Sequence, residues 1–193
     1  ARDGKWMPGP GMDFVDAMHH QLPQIPMIAE DLGFLTEGVK KLLADSKLPG
    51  MKVLEFAFDS RDSGSANDYL PHNYDRNCVV YTGTHDNETI AGWFMGLSKE
   101  DKAFVRDYMG DQETANKWMY KQLIAMTMRT TANMCIIPVQ DWLGLDNGSR
   151  LNKPSTVGIN WRWRASEAQL SKALQQDILA NTKRYGRMNW NNK

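Results

Sequence analysis

Four short apolar runs, near residues 28, 54, 80 and 136, are each followed by a stretch with helical spacing, and this repeat restricts the fold more than anything else in the chain. A helix after each strand returns the chain to the same end of the sheet, so strands joined this way run parallel. The spacing predicts strands over 27–29, 51–58, 79–82 and 134–139. It predicts helices over 12–22, 36–45, 89–97, 99–109, 111–132 and 166–185. Thr36 is the expected N-cap of the second helix, and Ser98 and Gly110 separate the later ones. Residues 59–77 have no period and many turn formers, and a loop of that length is more often functional than idle. Four βα units make half of an eight-stranded barrel, which in full needs about 250 residues. A doubly wound open sheet also fits four strands, but no G-x-G-x-x-G or phosphate loop follows any of the runs.

The charge balance bears on partners. Lys plus Arg and Asp plus Glu number 23 each, giving no net charge, whereas nucleic acids and anionic membranes select basic surfaces. No apolar run approaches the roughly 20 residues of a membrane span, and the amino terminus has no signal-peptide core. Cys78 and Cys135 sit in apolar runs and read as buried free thiols of a reducing compartment, with a disulfide the lesser alternative. The expectation is a cytoplasmic protein. Seven Trp and six Tyr exceed what a core of this size needs, which leaves some for sugar or ligand platforms beside ordinary core roles.

The ends of the four runs carry Glu30 with Asp31, Glu55 with Asp59, His85 with Asp86, and Gln140 with Asp141. On a barrel these ends converge on the axis, so carboxylates distant in sequence become neighbours. The densest cluster follows the third run, in C-V-V-Y-T-G-T-H-D-N-E-T at 78–89. Glycosidic bond cleavage uses one carboxylic acid kept protonated and ionised carboxylates beside the developing oxocarbenium charge. Glu30 and Asp86 suit two of these places, and like charges held close raise the pKa of one member. The same residues have structural uses. Asp86, Asn87 and Glu88 precede a helix, where such residues cap the first turn or oppose the dipole. Glu30 suits a salt bridge, and His85 suits a hydrogen-bonded structural role. A metal site of His85, Asp86, Glu30 and Asp31 lacks two-histidine spacing, since His19 and His20 fall on a helix elsewhere. No Ser or Cys occupies a nucleophile elbow, and the twelve methionines are most simply core filling.

The runs I-A-E-D-L-G at 28–33, L-P-G-M-K-V-L-E-F-A-F at 48–58, L-P-H-N-Y at 70–74, V-V-Y-T-G-T-H-D-N-E-T at 79–89, P-V-Q-D at 138–141 and N-W-R-W-R at 160–164 together resemble the 4-alpha-glucanotransferases, the amylomaltase or disproportionating-enzyme family of the α-amylase clan. The resemblance covers nearly the whole chain, in order. It implies an α/β fold, the C-terminal half (about strands five to eight) of a (β/α)₈ TIM barrel, with extra helices between the last two strands. It implies a retaining double displacement that moves α-1,4-glucan segments to an acceptor sugar, without a cofactor or metal. Glu30 matches the family's general acid/base and Asp86 its transition-state stabiliser. His85 matches a donor-sugar contact, and Asn152 and Phe56 match further sugar contacts.

The family's nucleophile, an aspartate in a run resembling R-I-D-H, has no counterpart here, and Asp3 and Asp13 do not match it. Retention needs a nucleophile about 5 to 5.5 Å from the acid/base. The expectation is therefore that residues 1–193 are a C-terminal fragment of the catalytic barrel, inactive alone, acting on maltooligosaccharides in the full enzyme. Its open strand edges favour self-association. The alternative is a non-catalytic glucan-binding or self-associating half-barrel domain. A metal-dependent barrel hydrolase is a third reading.

Overall fold

The computed structural model describes residues 3–5, 7–33, 35–58 and 67–188. The chain divides into two compact units, residues 1–51 and 52–193.

In the first unit, α1 (Met12–Gln21) keeps its apolar residues at helical spacing, yet of these only Val15 is buried and Phe14 is 59% exposed. Thr36 caps α2 (Glu37–Ser46) as expected, its hydroxyl accepting the Val39 N–H at 3.4 Å. The left-handed Lys47, at φ 58°, ends the helix. The strand expected over 27–29 does not form. The Ala29 N–H reaches the Pro49 carbonyl at 2.9 Å, but this single backbone bond is not extended into a ladder. Asp31, buried, fastens this stretch instead by accepting the Met51 N–H at 2.6 Å.

Strands β1 (Gly50–Val53), β2 (Cys78–Tyr81) and β3 (Met134–Ile136) form one sheet in that order. β2 and β3 run parallel, Val79 opposite Met134, Val80 opposite Cys135 and Tyr81 opposite Ile136. The central strand is buried on both faces through Cys78, Val79 and Val80, as its unbroken apolar run requires. The strand expected over 51–58 is shorter. After Val53 the chain tightens into a 3₁₀ turn, Leu54–Ala57, where the Glu55 N–H meets the Thr82 carbonyl at 3.3 Å.

Helices α3 (Ile90–Gly96), α4 (Lys99–Met109) and α5 (Met119–Met128) enclose a core of Leu54, Phe58, Ile90, Phe94, Val105, Leu123 and Met126. Burial of each such side chain contributes about 1.5–3 kcal/mol. Ser98 caps α4, and left-handed Gly110 closes it. The helix expected over 111–132 is cut at its start, because Asp111 accepts both the N–H and the hydroxyl of Thr114, at 2.9 and 2.7 Å, and winds the chain into a turn. Pro138 ends the last strand early and leads into α6 (Val139–Trp142). The helix expected over 166–185 is likewise split. Ser166 opens a separate 3₁₀ turn, Glu167–Gln169, and Ser171 caps α7 (Lys172–Arg184).

Of the predicted long loop, residues 59–66, Asp59 included, lie outside the described residues. Its remainder is ordered by a 3₁₀ turn, Pro71–Asn73, and by the Tyr74 hydroxyl donating to the Tyr69 carbonyl at 2.8 Å. Cys78 is buried and Cys135 half-buried, both as free thiols, and burial pushes the Cys135 thiol up to about 11. Among the described residues, no helix is long and apolar enough to cross a membrane.

Past α7 the chain is pinned by Arg187. Its guanidinium donates to the carbonyls of Met128, Thr130 and Ala132 at 2.7, 3.0 and 3.0 Å, satisfying oxygens left free at the end of α5. Arg187→Met should destabilise the second unit by about 2 kcal/mol, the scale of hydrogen bonds to a charged group. Urea unfolding reads this directly, and an unchanged midpoint would refute the anchoring role.

Candidate active site

The site grows from the end of β2. Thr82, fully buried, donates its hydroxyl to Asp141 Oδ2 at 2.5 Å, while Asp141 Oδ1 accepts the Ile90 N–H at 2.8 Å. One carboxylate on α6 therefore holds both the residue that follows β2 and the first residue of α3. Residues 83–89 are strung between these two points. Inside the loop, Asn87 Oδ1 accepts the N–H and hydroxyl of Thr84 at 2.9 and 2.7 Å. Asn147 accepts the Thr89 N–H at 3.2 Å and donates to Glu88 Oε1 at 2.7 Å.

The cap of α3 is Thr89, whose hydroxyl accepts the Gly92 N–H at 3.2 Å. Asp86 is thus free of capping duty, and its side chain is about half exposed, at 49%. Asp86 Oδ1 accepts a hydrogen bond from Asn152 Nδ2 at 2.5 Å and lies 3.3 Å from His85 Nε2. The Asn152 N–H donates to the His85 carbonyl at 3.1 Å, so the two segments are tied through backbone as well. Arg150 donates to the Asp86 carbonyl at 2.8 Å and stands 3.8 Å from Glu88 Oε1. The Trp161 ring lies 5.2 Å from the His85 ring at 39°. Trp161 holds a left-handed backbone, φ 65°, with its N–H on the Leu151 carbonyl at 2.6 Å. A non-glycine residue pays strain for that conformation, and such residues gather at ligand clamps.

Beneath the loop lie two buried carboxyl groups. Glu55 Oε1 has no hydrogen-bond partner among the described residues and sits so close to Gly83 that a Cβ there would meet it at 2.7 Å. Burial first, then the charges of Asp141 and Glu88, raise the Glu55 carboxyl well above its ordinary value. Burial likewise raises Asp141 to about 6, against the lowering effect of its bonds from Thr82 and Ile90. A cavity of about 40 Å³ beside them, lined by His85, Glu88, Gln140, Asp141 and Arg150 among others, has room for ordered water.

The structure brings Asp86, His85 and Asn152 together. Glu30 belongs to the first unit, where it is exposed beside buried Asp31. Phe56 is 39% exposed and packs edge-on against Tyr69, ring centroids 5.3 Å apart. Among the described residues, no three His, Cys, Asp or Glu side chains converge as a metal site. Sequence reasoning assigned no role to Arg150, Asn147 or Trp161. Trp161 stands in the N-W-R-W-R run that carried the resemblance, whereas Arg150 and Asn147 act on residues about sixty positions away and leave no local signal.

Residues 1–171 match the family model described as 4-alpha-glucanotransferase. The 4-alpha-glucanotransferase of Clostridium butyricum is 42% identical over 189 residues, covering 97% of this chain and 38% of that protein. The chloroplastic/amyloplastic 4-alpha-glucanotransferase of Solanum tuberosum is 42% identical over 191 residues, covering 96% and 32%. Among solved structures, the amylomaltase of Streptococcus agalactiae in complex with acarbose superposes with a TM-score of 0.88 at 37% identity, over 97% of this chain and 37% of that one. The amylomaltase of Corynebacterium glutamicum, at 17% identity and a TM-score of 0.61, shares the fold. The α/β arrangement with its small parallel sheet is thus that of the amylomaltases. The chain belongs to the 4-alpha-glucanotransferase family, and it spans only 38% and 32% of the length of these two relatives.

The Asp141 carboxyl titrates higher in the folded chain than its ordinary 3.8, so the folded state holds the extra proton. Its contribution to stability is full below about 3.8 and is lost as pH rises through about 6. In Asp141→Asn the amide can still accept from Ile90 and donate to the Thr82 oxygen, while the titration is gone. The stability of this variant relative to wild type should rise between pH 4 and 6. A pH-independent difference in urea unfolding would contradict the assignment.

Proposed function

We propose that this chain is the C-terminal half, strands five to eight, of the catalytic (β/α)₈ barrel of a 4-alpha-glucanotransferase that moves α-1,4-glucan segments from donor to acceptor by retaining double displacement. The observation that carries this reading is the half-exposed Asp86 carboxylate at the end of the central strand. His85 and Asn152 hold it, and an aromatic ring stands beside His85. That arrangement occurs in a chain that superposes on an amylomaltase solved with acarbose.

In this reading Glu30 protonates the leaving glycosidic oxygen while a nucleophile outside these 193 residues attacks the anomeric carbon. Asp86 stabilises the oxocarbenium-like transition state. Glu30, now a base, then takes the proton of the acceptor hydroxyl as the acceptor displaces the enzyme. His85, Asn152 and Phe56 contact the sugar. The long loop at 59–77 helps exclude water, which favours transfer over hydrolysis. The substrate is a maltooligosaccharide or longer glucan. The compartment proposed is the cytoplasm, although the potato relative is named chloroplastic/amyloplastic.

The alternative of a self-associating, non-catalytic half-barrel draws on β3, whose Met134 and Ile136 are 48% and 40% exposed. Maltotriose disproportionation separates the two readings, comparing the 193-residue chain with one extended upstream through the missing strands. Only the extended form should produce longer and shorter maltooligosaccharides. Glu30→Gln and Asp86→Asn should each lower its rate by about 10²–10⁴-fold, the range for removing a positioned catalytic group. An inactive extended chain, or full activity in either variant, would overturn the catalytic assignment.

A further inference from the structure

A cavity of about 200 Å³ opens between α5, α6 and α7, and none of its lining residues belongs to the Asp86 cluster or the small cavity beside it. Its lining mixes aromatic and polar side chains. Tyr120, Trp142 and Tyr185 supply aromatic surface, and Asp177, Asn181 and Arg184 supply planar polar groups.

These parts are held in place. Gly144, at φ 63°, approaches the hydroxyl end of the Tyr120 ring so closely that a Cβ would lie 2.6 Å from it. On α7 the polar side chains form a chain of contacts one helical turn apart. Asn181 Nδ2 donates to Asp177 Oδ1 at 3.2 Å, Arg184 donates to Asn181 Oδ1 at 3.3 Å, and Lys121 on α5 stands 3.9 Å from the other Asp177 oxygen. Two donors are left over, because neither the Tyr120 hydroxyl nor the Trp142 indole N–H has a hydrogen-bond partner among the described residues. Burial and the nearby Asp177 charge raise the Tyr120 phenol.

A ligand for this lining needs C–H faces to lie on aromatic rings and an edge of hydroxyls that both donate and accept. A pyranose has both. Lys121 and Asp177 offset one another, and the remaining charge, the Arg184 guanidinium, offers planar N–H donors to sugar hydroxyls. The cavity is also smaller than the roughly 300 Å³ at which drug-sized ligand pockets begin, which suits one sugar ring. We propose that the α5–α6–α7 cavity is a second carbohydrate site that holds a glucose unit of an α-1,4-glucan away from the Asp86 cluster. The choice of α-glucan over another neutral sugar rests on the function proposed above. The site itself rests on the cavity.

The test is a maltotriose titration of the 193-residue chain labelled with ¹⁵N-tryptophan, following the Trp142 indole resonance. Maltotriose should move that resonance saturably. Asn181→Ala with Arg184→Ala should weaken the response by about tenfold or more, while His85→Ala leaves it unchanged. Tyr120→Phe, which removes only the hydroxyl, is a second variant should the double one unfold, and it should also weaken binding. A Trp142 resonance that moves with neither maltotriose nor cellotriose, that moves equally in the α7 and Tyr120 variants, or that loses its response in His85→Ala would overturn the second site. Saturable movement with cellotriose but not maltotriose would overturn the glucan choice alone. Disproportionation by the extended chain is scored separately, so failure of that function is distinguishable from failure of this site.

Discussion

The second unit depends on one buried carboxylate. Asp141 sits on a single turn of helix, yet it takes the Thr82 hydroxyl from the end of β2 and the Ile90 N–H from the start of α3. Burying a carboxyl group is costly unless it is hydrogen-bonded, and here both oxygens are used. Because the two donors bracket residues 83–89, the conformation of the loop that presents Asp86 is decided by a residue more than fifty positions further on. Asn147 repeats the device at the next two positions, binding Thr89 and Glu88. The loop is therefore ordered in advance, and an ordered loop spares the ordering entropy that any binding there would otherwise cost.

Glu55 shows the limit of this arrangement. It lies under Gly83 with one oxygen unsatisfied among the described residues and with two other acids nearby, an electrostatically expensive position. Stability has been given up at the base of the loop, as happens where a fold holds reactive groups in place. The left-handed backbone of Trp161, whose ring lies beside His85, is a second such concession.

How much of this was legible in the sequence followed the range of the interactions. Thr36, Ser98 and Gly110 were readable because a cap or a stop is settled within a few residues. The parallel pairing of β2 with β3 was readable from the order of apolar runs and helical stretches. The strand at 27–29 and the helix start at 111 were misread, since the side-chain bonds of Asp31 and Asp111 to nearby backbone decided them against the hydrophobic period. At the site, Asp86 and His85 stood out as polar residues at a strand end, but their functional meaning came from family resemblance. Asp141 was visible only as one more carboxylate at the end of a run, and nothing local connected it, Arg150 or Asn147 to the loop they hold.

The attachment of Arg187 gives the unit a mechanical polarity. Its three carbonyl partners lie between the end of α5 and the start of β3, directly before the strand that leads through Pro138 to Asp141. Tension on the carboxyl end of the chain would therefore bear first on the turn that feeds the outer strand. That strand continues through Pro138 to Asp141, so a disturbance at the turn is passed along β3 toward the residue that holds the loop carrying Asp86.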